Sequence, residues 1–262
     1  IMSKVARREH LFGIAPCLAA ILAGRRKIFK VYLNDKLEEE EPRRKELVQL
    51  VAEANERNIK LVYKSRPILD RLCGGRPHQN VVMETGKLNL TPITRESYTL
   101  PTQERFLLAL DDIQDPMNLG AIIRSATYFG VDKIIVNEKN SCGLTATVSK
   151  VSSGAMEWAS VYSTRDMQRL LKDLLNYDWN LIGTVTKDYT QSKVHSCHDV
   201  QLSKRNVLVI GNEGFGMNPL ITSICTKLVT IPSFNDRLPE GLDSLNVSVA
   251  TGILLHSLMP KK

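Results

Sequence analysis

No run in this chain of 262 residues is long and apolar enough to span a bilayer as a helix. Cysteine is sparse. Cys17, Cys73, Cys142, Cys197 and Cys225 are odd in number, scattered and without CxxC pairing, which argues against a disulfide framework or a structural zinc site and fits a reducing compartment. Their plain expectation is five small buried hydrophobes. His78, His195, His198 and His256 have no metal-ligand spacing with nearby Cys, Asp or Glu, so no metal is expected. There is no Gly-x-Ser-x-Gly elbow, no internal repeat and no low-complexity tract. The two familiar phosphate loops are missing as well: no glycine-rich turn ends in Lys-Ser/Thr, and none has the dinucleotide spacing.

What is present begins with charge. The net charge is +7, and it is unevenly spread: residues 1–84 hold 17 Lys and Arg against 11 Asp and Glu, the remainder 18 against 17. A basic N-terminal third is expected of a part that grips a polyanion, although a solvated face has the same composition. Hydrophobic residues make up 43% of the chain, enough for a sizeable core. The first residues, Ile1-Met2-Ser3, are expected to follow a removed presequence or a trimming point, and no targeting segment is legible.

Periodicity divides the chain. A helix is expected from Gly13, ending at Gly24, then a strand at Ile28–Leu33. Leu47, Leu50, Val51 and Ala54 fall on one helical face. Ile59–Tyr63 and Val81–Glu84 read as strands, with a short helix Pro67–Leu72 between them. Residues 86–104 are polar, Thr- and Pro-rich and aperiodic, as in a linker. Phe106–Leu110 is a continuous apolar strand of the kind buried on both faces in parallel sheets. Strands at Lys133–Val136, Asn180–Thr184, Val207–Ile210 and Leu228–Ile231 alternate with helical patterns, so a βαβ architecture is expected. The resulting division is a small α/β domain over 1–85, a linker over 86–104 and a larger α/β domain over 105–262.

Three segments are candidates for chemistry. In the first, a polar turn after Leu110 leads into a helix starting near Met117. Its buried stripe is Leu119, Ile122, Ile123 and Ala126, and Gly130 is a natural stop. Ligands of α/β sheets sit at the carboxyl ends of strands, which places Asn118 and Arg124 to act. The bland alternative is that Asn118 caps the helix and Arg124 pairs with a nearby aspartate. In the second, Gly211-Asn212-Glu213-Gly214-Phe215-Gly216, three glycines allow close backbone approach to a ligand, and Glu213 is aimed at a cleft or at solvent. The third, Ser244-Leu245-Asn246, opens a helix running from Val247 to Leu258. Either Ser244 or Asn246 can serve as its N-cap, which leaves the other for chemistry.

Asn118–Ala126, Gly211–Gly216 and Ser244–Ala250, in that order, resemble the three motifs of the SpoU (TrmH-like) RNA ribose 2′-O-methyltransferases. Residues before Gly86, with Leu11-Phe12-Gly13 ahead of the first helix, resemble that family's L30e-like substrate-binding domain. Cys142, the run Val148–Glu157 and the Leu238–Leu242 insertion are similar to the subgroup that modifies a guanosine of mitochondrial large-subunit ribosomal RNA. Two departures stand out: Asn80 occupies a position where relatives commonly have Gly, and the loop from Ser233 to Asp243 is longer than in compact bacterial relatives.

The resemblance implies an α/β SPOUT methyltransferase domain with a parallel sheet and a trefoil knot, S-adenosylmethionine as cofactor, and a homodimer. It also implies ribosomal RNA of the large subunit as partner, and the mitochondrial matrix as location. It places Asn118, Arg124, Glu213, Ser244 and Asn246 in the catalytic pocket, with Thr184, Gly211, Ile231 and Leu245 at the cofactor. Arg124 would be the general base on that analogy. A guanidinium is a donor-only group, however, which favours a phosphate clamp with water or phosphate taking the proton. Two rival readings stay open, a tRNA ribose methyltransferase and a non-catalytic RNA-binding assembly protein.

Overall fold

The computed structural model describes residues 8–37, 44–99, 104–186, 189–190, 193–212, 214–235, 237 and 244–259. The chain forms two compact units: Ile1–Asn89 with Gly143–Trp158, and Leu90–Cys142 with Ala159–Lys262.

The first unit carries β1 (Arg8–Phe12), α1 (Ile14–Ala23), β2 (Ile28–Asn34), α2 (Lys45–Glu56), β3 (Lys60–Lys64), α3 (Arg66–Cys73), β4 (Val81–Gly86) and α6 (Ala146–Val151), followed by a 3-10 turn at Ala155–Glu157. Gly24 ends α1 in the left-handed conformation, its N–H returning to the Ala20 carbonyl. The sheet order is β1-β4-β2-β3, antiparallel except for the β2–β3 pair. Period-two alternation splits it cleanly. Leu11, Val31, Leu33, Val81 and Met83 pack with the apolar stripes of α1 and α2, Leu47, Leu50 and Ala54 among them. Phe12 and Val82 face the other way, onto Leu69 and Cys73 of α3. Asn80 adopts φ +62°. Asn is among the few non-glycine residues that tolerate this region, and here its side chain accepts from Asn34 Nδ2 while its N–H donates to His78 Nδ1, both at 3.0 Å.

Residues 143–158 lie between strands of the second unit in sequence but pack within the first. Glu157 is fully buried there and receives Nε and Nη2 of Arg26 at 3.0 and 2.9 Å. Arg26 also donates to Glu9 at 2.6 Å and to the Gly86 carbonyl at 3.3 Å.

The second unit contains β5 (Thr91–Pro92), α4 (Glu96–Thr99), β6 (Phe106–Leu110), α5 (Pro116–Phe129), β7 (Lys133–Asn137), β8 (Val161–Thr164), α7 (Met167–Leu175), β9 (Asn180–Thr184), β10 (Val194–Ser196), β11 (Asn206–Ile210), α8 (Pro219–Thr222), β12 (Lys227–Thr230) and α9 (Val247–Leu258). The strands form one sheet in the order β10-β12-β9-β11-β6-β7-β8-β5. Every pairing is parallel, which bears out the expected α/β class. The central strands β6 and β11 are buried along their whole length, as continuous apolar runs in parallel sheets should be. Met167, Leu170, Leu171 and Leu174, the buried stripe of α7, pack with Leu107, Leu181 and Val207 of the sheet. Residues 86–104 hold β5 and α4, where buried Tyr98 receives the Trp179 indole N–H on its carbonyl. No helix of the described residues is long and apolar enough to cross a membrane.

Candidate active site at the carboxyl ends of the strands

Because all strands run the same way, the loops after β6, β9, β11 and β12 emerge at one edge of the sheet. Asp115 caps α5, its carboxylate accepting from the Met117 N–H at 2.9 Å. The capping task is thereby done without Asn118, against the bland reading. Asn246 settles the other open alternative. It caps α9, accepting from the N–H groups of Ser248 and Val249. Its Nδ2 also donates to Asn118 Oδ1 at 3.0 Å, across 128 residues of sequence. Two of the three motifs thus meet directly through side-chain amides.

The middle motif is tied in by a residue the sequence reading did not single out. Asn212 accepts from the N–H groups of Gly214 and Phe215 at 2.8 and 3.1 Å and donates to the Asp112 carbonyl at 3.0 Å. Asp112 itself sits at φ +71°, in the left-handed region. A backbone bridge between Asn212 and Gly216 closes the glycine turn. The signal was the amide between Gly211 and Glu213, a residue type suited to bonding its own backbone two residues on. Nearby, Asp111 at the end of β6 is buried and its pKa is raised by that burial, against a 3.4 Å hydrogen bond from Asn137.

These loops enclose a cavity of about 450 Å³. Thr184, Gly211, Ile231, Ser244 and Leu245 all line it, together with Tyr189, Met217 and Val247. Thr184 Oγ1 donates to the Val209 carbonyl at 3.0 Å, which pins the end of β9. Asn118 and Asn246 adjoin this set through their own bond and do not line the cavity. Arg124 is exposed on α5, away from the lining, and makes no ion pair with any described residue, so the expected bridge to an aspartate is absent. Glu213 lies outside the described residues. Among the described residues no His, Cys, Asp and Glu group could hold a metal. No disulfide joins any of the five cysteines, and burial pushes the Cys225 thiol up to about 12.

Replacing Asn246 by Ala should remove both the cap and the tether to Asn118. A loss of about 1 kcal/mol is expected, read as a lowered denaturation midpoint; an unchanged midpoint would show that the cap contributes nothing.

A parallel-sheet unit with a cavity at its strand ends, walled by a glycine turn and the start of α9, has the form of a small-molecule-binding α/β protein. Comparison with known proteins gives the family. The SpoU rRNA Methylase family model matches residues 105–256, and the RNA 2′-O ribose methyltransferase substrate binding model matches residues 10–91. The chain belongs to the SpoU rRNA methylase family. The mitochondrial rRNA methyltransferase 1 of Homo sapiens is 39% identical over 98% of this chain and 74% of its own length. The 23S rRNA (guanosine-2′-O-)-methyltransferase RlmB of Shewanella oneidensis is 32% identical over 98% of both chains. Among solved structures, an RNA 2′-O ribose methyltransferase superposes with a TM-score of 0.76 at 19% identity, covering 96% of this chain and 88% of that one. An AdoMet-bound rRNA methyltransferase from Sinorhizobium meliloti gives 0.71 at 21%, covering 96% and 86%.

Proposed function

We propose that the protein methylates the ribose 2′-oxygen of a guanosine in large-subunit ribosomal RNA, using S-adenosylmethionine, and that it does so in the mitochondrial matrix. The observation that carries this reading is that the glycine turn and the start of α9 line one strand-end cavity, while Asn118 of the first motif is joined to Asn246 beside it. The cavity has the size of a small-molecule site. Its wall at Gly211 has no side chain, which suits backbone contact to a nucleoside. When bound, the cofactor supplies a methyl group activated by a sulfonium.

The chain's own part is placement. Backbone at Gly211, Ile231 and Leu245, with Thr184, would hold the adenosyl part. Asn118 and Asn246, locked amide to amide, would fix the ribose edge, with Ser244 and Glu213 completing the pocket. Such positioning can supply a large share of rate acceleration. Arg124 is solvent-facing and has no ion-pair partner among the described residues, as a group awaiting a phosphate would be. Its guanidinium presents five donors and no acceptor, so it clamps and polarises while water or a phosphate oxygen takes the 2′-proton. Exposed Met117 and Tyr128 on α5 and Val249 on α9 support a homodimer through these helices. The return of α9 to pack along α5 is compatible with a trefoil knot.

The test is methylation of total ribosomal RNA with methyl-labelled cofactor, followed by mapping of the modified ribose. Label on one large-subunit guanosine is expected, and a signal confined to tRNA would overturn the substrate. Arg124→Lys should slow single turnover about tenfold, since an ammonium cannot reproduce the bidentate fork. Near-full activity of that variant would sink both the clamp and the base.

A further inference from the structure

We propose that the open half of one sheet face in the first unit is a stacking platform for unpaired RNA. Strand register places His10 of β1, Glu84 of β4, Lys30 of β2 and Lys60 of β3 side by side in one row across all four strands. The neighbouring row, Phe12, Val82 and Tyr32, lies in the cluster with Leu69 and Cys73 of α3. On the other side, Arg8 stands opposite Gly86. A bulge between Ile28 and Lys30 re-aims β2 there, and brings Phe29 under the Arg8 guanidinium, 4.3 Å from the ring centroid. Lys27 approaches the same ring at 5.4 Å, and Lys30 lies 5.3 Å from the centre of Tyr32.

The charge arrangement points to an anionic partner. Lys30 and Lys60 are direct register neighbours, and like charges opposite one another weaken a sheet. Glu84 is the carboxylate in the row, buried and held by Arg8 at 2.6 Å and Lys30 at 3.1 Å. It orients those two cations while leaving the face net positive. Arg8, Lys27 and Lys60 are exposed. Burial lowers the His10 pKa, which leaves a neutral ring. Cations interleaved with flat rings on a strand surface suit phosphates and unstacked bases together, whereas duplex RNA hides its bases from such a surface. The partner is therefore a single-stranded loop or bulge. This rests on the reading of the protein as acting on RNA, and adds which face is used and in what form the RNA is held.

The experiment is fluorescence anisotropy with the full chain, using a labelled single strand of roughly ten nucleotides and the matching duplex. Lys60→Glu should weaken single-strand binding about fivefold and flatten its salt dependence. Its melting temperature should hold or rise, because a repulsive pair becomes attractive. Phe29→Leu should weaken the single strand about tenfold, and Phe29→Trp should restore it. Unchanged affinity in Lys60→Glu and Phe29→Leu, or equal losses for single strand and duplex, would overturn the platform. The proposed reaction is judged separately: methyl transfer can fail with the platform intact, or proceed when the platform is refuted.

Discussion

Glu157→Ala is expected to lower stability by about 3 kcal/mol, the low end for breaking a buried ion pair by removing one partner. The Arg26 guanidinium is almost completely buried and gives two of its donors to this carboxylate. Truncation strands those donors and that of Ser149, whose hydroxyl bonds the same oxygen at 3.3 Å. Glu9 stays in place at 2.6 Å and keeps the cost from being larger. For a domain near a hundred residues this corresponds to a melting shift on the order of 15 °C. Replacing the whole cluster, Arg26→Met with Glu157→Leu and Glu9→Met, should recover most of the loss, because no charge of the cluster is then left buried without a partner. A single variant that melts within about 2 °C of the parent would mean that the segment 143–158 is held by its apolar contacts alone.

That ion pair also marks the limit of what sequence reading could reach. Leu119, Ile122, Ile123 and Ala126 of α5 are all buried as their spacing predicts, and Gly130 ends the helix at φ +78°. The strand β9 falls on the residues expected, and α9 starts after the expected cap. These succeed because the helices show several turns of period 3.6 and the strands are uninterrupted apolar runs. β8 and β10, with four and three residues, are too short for alternation to register. Glu157 looks like an ordinary surface acid in sequence, since the partner that neutralises it is 131 residues away. Nothing local signals that residues between β7 and β8 pack in the first unit.

The site divides in the same way. Asn118, Ser244 and Asn246 were visible as polar residues at helix starts, but only geometry could assign the cap to Asn246 and join it to Asn118. Asn212 was passed over because its work is done on backbone groups at Asp112, Gly214 and Phe215. A fingerprint of side chains does not display such a role.

Gly211→Ala should abolish cofactor binding, raising its dissociation constant at least about a hundredfold, near 2.7 kcal/mol. A methyl group built on Gly211 would lie 2.5 Å from the Gly216 carbonyl carbon, 2.6 Å from its oxygen and against the Met217 amide nitrogen. All three are backbone atoms, so no rotamer change can make room. The turn is closed by the reciprocal bonds Asn212 N–H to Gly216 O at 2.9 Å and Gly216 N–H to Asn212 O at 3.0 Å, and it has to open to admit the methyl. Opening it displaces Gly214, Phe215 and Gly216, which with Gly211 form one wall of the cavity. A stability loss of about 1–3 kcal/mol, usual for overpacking, should accompany the change. Gly252→Ala separates this effect from a general intolerance of glycine substitution. Its added methyl would meet nothing nearer than Ser125 Oγ at 3.8 Å, and inside α9 an alanine should be neutral or stabilising by up to about 1 kcal/mol. Calorimetry with S-adenosylmethionine reads both variants. Parent-like affinity in Gly211→Ala would move the cofactor away from the glycine turn, and with it the roles assigned to Ile231 and Leu245.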